Sequence, residues 1–248
     1  MPLLATALGL SLLGSLGGLL VASSLLIFDA DVRTRLVPWL VSYAVGALLG
    51  VALLALLPEA LETLPPTQAF GTLLFGILVF FMLEKLVLLR HCHTDACQIH
   101  GAAAPLVIFG DAFHNFLDGA IIAAAVLTSV PLGVNTAIAV AAHEIPQEVG
   151  DVAILLASGY SRRRTLLLNV ISGASGIVGA ALAYSMVAVV PAIRAFVLAF
   201  SSASLLYIAM SDLIPDLHRG QIDRNSLRQV VLIALGIGTI IVFERLAG

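Results

Sequence analysis

Charge is what this sequence has least of. Only 11% of its 248 residues are Asp, Glu, Lys or Arg, against about 25% in an ordinary globular domain. Its two cysteines, Cys92 and Cys97, are too few for a disulfide framework. Twelve Lys and Arg in the whole chain cannot build the basic surface that nucleic acid requires. The opening Met1-Pro2-Leu3-Leu4 lacks the basic stretch of a cleavable signal peptide, so the first apolar segment reads as a retained span. What is abundant is apolar: 60% of residues, with a mean hydropathy of +1.08. A soluble fold of this length could not bury so much, which excludes a cytosolic enzyme and a disordered chain. The apolar runs are continuous rather than alternating, which argues against a membrane β-barrel. The expected fold class is an all-α polytopic membrane protein.

Runs long enough to span a bilayer fall at 3–28, 37–61, 69–89, 105–128, 133–157, 165–190, 192–213 and 230–246. The chain is thus expected to form one transmembrane domain over 1–248 with eight helices, the sixth and seventh parted near Pro191. Arg33, Arg35, Lys85, Arg90, Arg162, Arg163, Arg164, Arg219, Arg224 and Arg228 belong to the connections on one side, and only Arg194 and Arg245 to the other. Positive charge stays cytoplasmic, which puts both termini outside. Two echoes suggest an inverted repeat: Leu57-Pro58-Glu59 with Ile214-Pro215-Asp216, and His114-Asn115-Phe116-Leu117-Asp118 with His143-Glu144-Ile145-Pro146-Gln147. Inverted repeats with binding groups near the midplane are common among transporters.

The fourth and fifth spans hold the anomaly. Asp111, His114, Asn115 and Asp118 share one helical face by their spacing. The fifth span carries His143, Glu144, Gln147, Glu148 and Asp151, with Pro146 among them freeing the Ala142 carbonyl. An acidic residue at a helix centre costs about 2.5–3.5 kcal/mol on the insertion scale, or about 12–17 kcal/mol for five if they simply add. No Lys or Arg occurs between His91 and Ser161. A bound cation is the compensation that best fits. Imidazole, carboxylate and amide oxygen together suit Zn²⁺, Fe²⁺, Mn²⁺, Co²⁺ or Cd²⁺. His143-Glu144 also prompts an intramembrane metalloprotease, but His-Glu-x-x-His needs a second imidazole where Gln147 stands. No enzyme is expected.

These residues resemble the ZIP (Zrt/Irt-like) family of divalent-metal transporters. Asp111 to Gly119 is similar to the HNFxDG signature of its LIV-1-like branch, and His143 to Glu148 to the HEIPHE signature. The likeness extends to Leu57-Pro58-Glu59-Ala60, Leu83-Glu84-Lys85-Leu86, Gly150 to Leu156 and Tyr207 to Asp212, so it covers nearly the whole chain. It implies eight spans with both termini outside and transport by alternating access, the helices bearing the site sliding as a unit. It also implies His114, Asp118, His143 and the residue at Gln147 as ligands of the main site, and Asn115 and Glu144 as ligands of an adjacent one. Two departures stand out. Gln147 replaces the His of the branch motif with a neutral, weaker ligand. Ser172-Gly173-Ala174-Ser175-Gly176 lacks the Glu that some branches use for the second site, which speaks against a strongly bound second metal.

The expected function is transport of Zn²⁺, or of Fe²⁺, Mn²⁺ or Cd²⁺, into the cytoplasm across the plasma (inner) membrane. The alternative is a metal-gated channel or sensor without alternating access. Asp111, Glu148, Asp151, Glu59, Asp212 and Asp216, with His218, are candidates for supporting the ligands or lining the pathway. His91, Cys92, His93, Cys97 and His100 lie in the 90–104 connection and form a candidate cytoplasmic metal-collecting loop. Gly14, Gly18, Gly173, Gly176 and Gly179 suit close helix packing. Candidate partners are the metal ion, the bilayer and a second copy of the chain as a homodimer, and the short connections suggest a prokaryotic source.

Overall fold

A computed structural model describes residues 2–25, 30–89, 99–218 and 224–247. These are helical throughout apart from short turns, and no strand occurs among them. Eight rods follow in chain order: α1 (Pro2–Leu25), α2 (30–63), α3 (Pro66–Leu89), α4 (Ile99–Thr128), α5 (Val130–Ala157), α6 (Arg162–Val189), α7 (191–218) and α8 (Arg224–Ala247). Six of them contain stretches long and apolar enough to cross a membrane. The other two, α4 and α5, are the rods that carry the acidic residues.

Burial runs opposite to a soluble protein. Leu20, Phe75, Val189 and Leu227 are more than half exposed on the outer faces, while Asp118, Glu144 and Glu148 are fully buried. Only a hydrocarbon surround makes such an arrangement favourable, since each helix satisfies its own backbone and turns apolar side chains outward. The chain is an integral, multi-pass membrane protein.

α2 and α7 share a second feature. Each loosens into a π-helical turn, Ala52–Leu56 in α2 and Ile208–Leu213 in α7, two residues before Pro58 and Pro215. A proline ring crowds the carbonyl four residues back and supplies no donor to it. A wider turn absorbs that mismatch without breaking the rod. The echo Leu-Pro-Glu and Ile-Pro-Asp thus marks one structural device used twice. α5, by contrast, runs as α-helix through Pro146.

The packing sorts the rods into two groups. α1, α4, α5 and α6 pack together, while α8 lies along α2 and α3 along α7. Glycine sets the closest approach, between α4 and α6: a Cβ on Gly119 would meet the Gly176 carbonyl oxygen at 1.8 Å, and one on Gly179 the Phe116 carbonyl oxygen at 1.8 Å. Ser172 and Ser175 of α6 donate to the Ile108 and Ala112 carbonyls of α4. Between the two groups lies an apolar core of mostly small side chains, with Ala124 and Ala125 of α4, Ala199 and Leu205 of α7, and Ala47 and Val51 of α2.

The hairpin of α4 and α5 positions the site. Ser129 alone joins the two helices, extended at φ −154° and ψ 150°, and its hydroxyl caps α5 by accepting from the Leu132 N–H at 3.2 Å. In a hairpin so tight, residues equally far from Ser129 lie at the same level. His114 and Glu144 are each fifteen residues away, and Asp111 and Gln147 each eighteen. At 1.5 Å per residue the first level is about 22 Å from the turn, half-way along both rods.

One sequence expectation changes here, and the parting expected near Pro191 holds. α4 begins at Ile99, six residues before the expected 105, so the described part of the 90–104 segment is helix. The remainder, with His91, Cys92, His93 and Cys97, lies outside the described residues. The break between the sixth and seventh runs falls at Val190, followed by the 3₁₀ turn Pro191–Ile193.

Candidate metal centre

At the half-way level four side chains converge. His114 and Asp118 come from α4, one turn apart, and His143 and Glu144 from α5. His114 Nε2 lies 2.9 Å from His143 Nε2 and 3.5 Å from Asp118 Oδ2. His143 Nε2 lies 3.2 Å from Asp118 Oδ2 and 3.8 Å from Glu144 Oε1, which is 4.0 Å from His114 Nε2. Zinc bonded tetrahedrally at about 2.0–2.1 Å would set its ligand atoms about 3.3 Å apart. The five separations bracket that edge.

The ring of His143 is oriented for such a role. Its Nδ1 is 3.1 Å from the Ala139 carbonyl oxygen, which can only accept, so Nδ1 carries the proton. With Nδ1 so engaged, Nε2 is the ring atom turned to the cluster, the arrangement typical of a metal-binding imidazole. His143, Asp118 and Glu144 are almost fully buried, and His114 keeps 18% of its side chain exposed. That exposure faces a cavity of about 290 Å³ bounded by Phe80 and Glu84 of α3, Phe113 and Leu117 of α4, and Ser204 and Tyr207 of α7. At its rim the Tyr207 hydroxyl donates to Glu84. Its lining includes Leu83 and Glu84 from the last two turns of α3, and Gly110 and Phe113 on the side of His114 nearer the start of α4.

A second group adjoins the first. Carboxylate oxygens of Asp111, Glu144 and Glu148 lie within 4.8 Å of one another. Asp111 Oδ1 accepts from Asn115 Nδ2 at 2.9 Å and from Gln147 Nε2 at 3.3 Å. Among the described residues, the ion pairs of the buried acids of α4 and α5 are with His114 and His143.

The chain matches the family described as ZIP Zinc transporter over residues 90–244, more than half its length. The chain belongs to the ZIP family. Among its relatives, the protein named Zinc transporter ZIP13 of Pongo abelii is 34% identical over 258 residues, spanning 94% of this chain and 77% of the relative. Zinc transporter ZIP13 of Homo sapiens is 31% identical over 297 residues, spanning 94% and 80%. An uncharacterized zinc transporter of Schizosaccharomyces pombe is 35% identical over 160 residues, spanning 60% of this chain and 35% of its own length. ZIP proteins are transporters rather than enzymes, and a protein of this family handles zinc or a similar divalent metal as its substrate.

Of the ligands implied by the ZIP resemblance, the fold gathers His114, Asp118, His143 and Glu144 into one group. Gln147 and Asn115 lie beside that group and turn their amide N–H groups to Asp111. Glu148 joins Asp111 and Glu144, whereas Asp151, one turn further along α5, is in neither group. Glu59 follows the π-turn of α2. Asp212 lies within the π-turn of α7, and Asp216 and His218 just beyond it. His100 lies in the first turn of α4. The Glu84–Tyr207 contact had no signature in the apolar pattern. It joins two separate segments of the family likeness, Leu83-Glu84-Lys85-Leu86 and Tyr207 to Asp212.

Proposed function

We propose that this ZIP protein carries Zn²⁺, with Fe²⁺, Mn²⁺ and Cd²⁺ as competing cargo, across the plasma membrane into the cytoplasm by alternating access. All eight rods span the bilayer in this reading, with both termini outside. The cargo is held by His114, Asp118, His143 and Glu144, with Asn115 and Gln147 alongside. The observation that carries the reading is the set of ligand atoms 2.9–4.0 Å apart, two imidazole and two carboxylate, buried half-way along two helices. Two buried carboxylates with imidazoles but no Lys or Arg beside them make a metal-free site costly and a divalent cation welcome. The cavity beside His114 supports cytoplasmic release in this reading, where the end carrying the basic connections faces inside.

Uptake into proteoliposomes tests this. Zn²⁺ uptake is expected to saturate, to be reduced by competing Cd²⁺, and to fall about tenfold or more in His114→Ala and His143→Ala. Uptake that rises without saturation would identify a channel instead. Saturable uptake untouched by both substitutions would move the cargo site elsewhere.

A further inference from the structure

Three arginines in a row, Arg162, Arg163 and Arg164, open α6, and all three are exposed. Among the described residues none of them pairs with a carboxylate, since the ion pairs there all involve His114 or His143. Arg164 is stacked on Tyr160, its guanidinium carbon 4.6 Å from the ring centre. Among the described residues neither Arg162 nor Arg163 stacks on a ring. Three unpaired charges side by side repel one another, which favours an anion that they can share.

What continues beyond them along α6 narrows the anion. Arg163, Leu166, Leu167 and Val170 fall on one helical face, at i, i+3, i+4 and i+7. Leu166, Leu167, Val170 and Ile171 are exposed, and in a chain embedded in lipid such side chains meet acyl chains. The arginines therefore stand where the acyl-facing surface of α6 ends and the headgroup layer begins. Tyr160 beside them is the kind of aromatic residue favoured at that boundary. An anion that meets Arg163 and also lies along Leu167 and Val170 must carry a charged head and a hydrocarbon tail. A phospholipid has both, and guanidinium groups grip phosphate oxygens two at a time. With no carboxylate nearby to balance them, the three charges favour a headgroup of net negative charge over a zwitterionic one.

We propose that the start of α6 is a binding surface for anionic phospholipid, with Arg162 and Arg163 on the phosphate, Arg164 held by Tyr160, and an acyl chain along Leu167, Val170 and Ile171. α6 is also the rod that approaches α4 most closely, through Gly119 and Gly176 and through the Ser175 hydroxyl on the Ala112 carbonyl. A lipid that holds α6 at one depth therefore holds α4 and His114 with it. On the transport reading above, on which this consequence rests, outward sliding of that group draws the arginines out of the headgroup layer. Bound anionic lipid then favours the inward-facing state.

The test gives full-length protein in non-ionic detergent equal amounts of phosphatidylglycerol and phosphatidylcholine and counts the retained lipids by native mass spectrometry. Wild type is expected to retain phosphatidylglycerol about tenfold or more over phosphatidylcholine. The triple variant Arg162→Gln, Arg163→Gln, Arg164→Gln is expected to lose that preference. Arg245→Gln, the same change in the last turn of α8, is expected to keep it. Zn²⁺ binding by the triple variant shows that it is folded; should it fail to fold, Arg163→Gln alone is expected to lower the preference about fivefold. Equal retention of the two lipids by wild type, an undiminished preference in the arginine variants, or displacement of phosphatidylglycerol by an equal concentration of inorganic phosphate would each overturn the surface. In oriented vesicles containing phosphatidylglycerol, half-maximal uptake is expected at a lower Zn²⁺ concentration in the triple variant than in wild type, and at the same concentration in phosphatidylcholine alone. Equal values in both kinds of vesicle would overturn the coupling to α4. Lipid retention does not depend on transport, so failure of the transport reading is seen separately, as vesicles that take up no Zn²⁺.

Discussion

Gln147 is the residue where sequence and structure say different things. By its position in the motif, the ZIP resemblance implies a ligand there. In the fold its amide donates to Asp111 Oδ1 at 3.3 Å, on the side of the second group. Replacing it by histidine puts an imidazole one turn beyond His143, within reach of the same cluster. Gln147→His is expected to tighten apparent Zn²⁺ binding about tenfold, equivalent to about 1.4 kcal/mol. A zinc titration checks the sign, and unchanged Zn²⁺ affinity would show that position 147 takes no part in zinc binding. At this scale the sequence was unusually legible. Five acids in two apolar runs without a basic neighbour cannot be explained by packing, and their spacing put Asp111, His114 and Asp118 on one face. Their division into two groups was not legible, because it depends on how far each residue lies from Ser129 across a one-residue turn. The Glu84–Tyr207 contact likewise joins α3 to α7, a pairing that no local pattern encodes.

At the scale of elements, the rods were readable because the bilayer forces each one to be apolar and continuous. The π-turns were not. The two Pro-acid echoes were visible, yet a proline in an apolar run can kink a helix, end it or widen one turn, and neighbouring packing decides among these. α5 passes through Pro146 as α-helix, while α2 and α7 widen before Pro58 and Pro215. Glycine spacing suggested close packing, and the α4–α6 contact gives that suggestion a sharp consequence. Gly179→Ala would place a Cβ against the Phe116 carbonyl oxygen, a backbone atom that cannot rotate away. The helices would have to part, costing about 1–3 kcal/mol or more. Gly9, on α1, has nothing within 4 Å of such a Cβ. Thermal unfolding in detergent is expected to show Gly179→Ala several degrees below wild type and Gly9→Ala unchanged. Equal unfolding temperatures would mean that the α4–α6 approach has slack the structure does not display. The direction of harm also differs: a parted α4 moves Asp118 relative to His143, so Zn²⁺ binding should weaken in Gly179→Ala alone.

For the whole molecule, the alternating access proposed above requires one group of rods to shift against the other. The interface allows it. Between α4 and α7 the core is largely alanine, leucine and isoleucine, whose contacts are non-directional. A directional contact crosses it: Arg194, at the start of α7, donates from Nη1 to the Leu127 carbonyl oxygen near the end of α4, at 3.3 Å. A cation at a helix C-terminus is favourable in both hydrogen bonding and dipole. On the transport reading proposed above, the end of the bundle with Glu84 and Phe113 faces the cytoplasm, and this contact fastens the outer ends of α4 and α7 in the inward-facing state. Sliding of α4 with its group must break it. Removing the guanidinium in Arg194→Ala therefore weakens the inward-facing state relative to the outward-facing one. The contact is partly exposed, so its worth is closer to about 1 kcal/mol than to the upper range for charged hydrogen bonds. That changes the ratio of states about fivefold. Where the outward-facing state is the minor one, its population rises by nearly that factor, and apparent affinity for outside metal rises with it. The Zn²⁺ concentration giving half-maximal uptake in oriented vesicles is thus expected to fall about fivefold in Arg194→Ala. An unchanged value would mean that the Arg194–Leu127 contact survives the transition, and that α4 and the start of α7 move together.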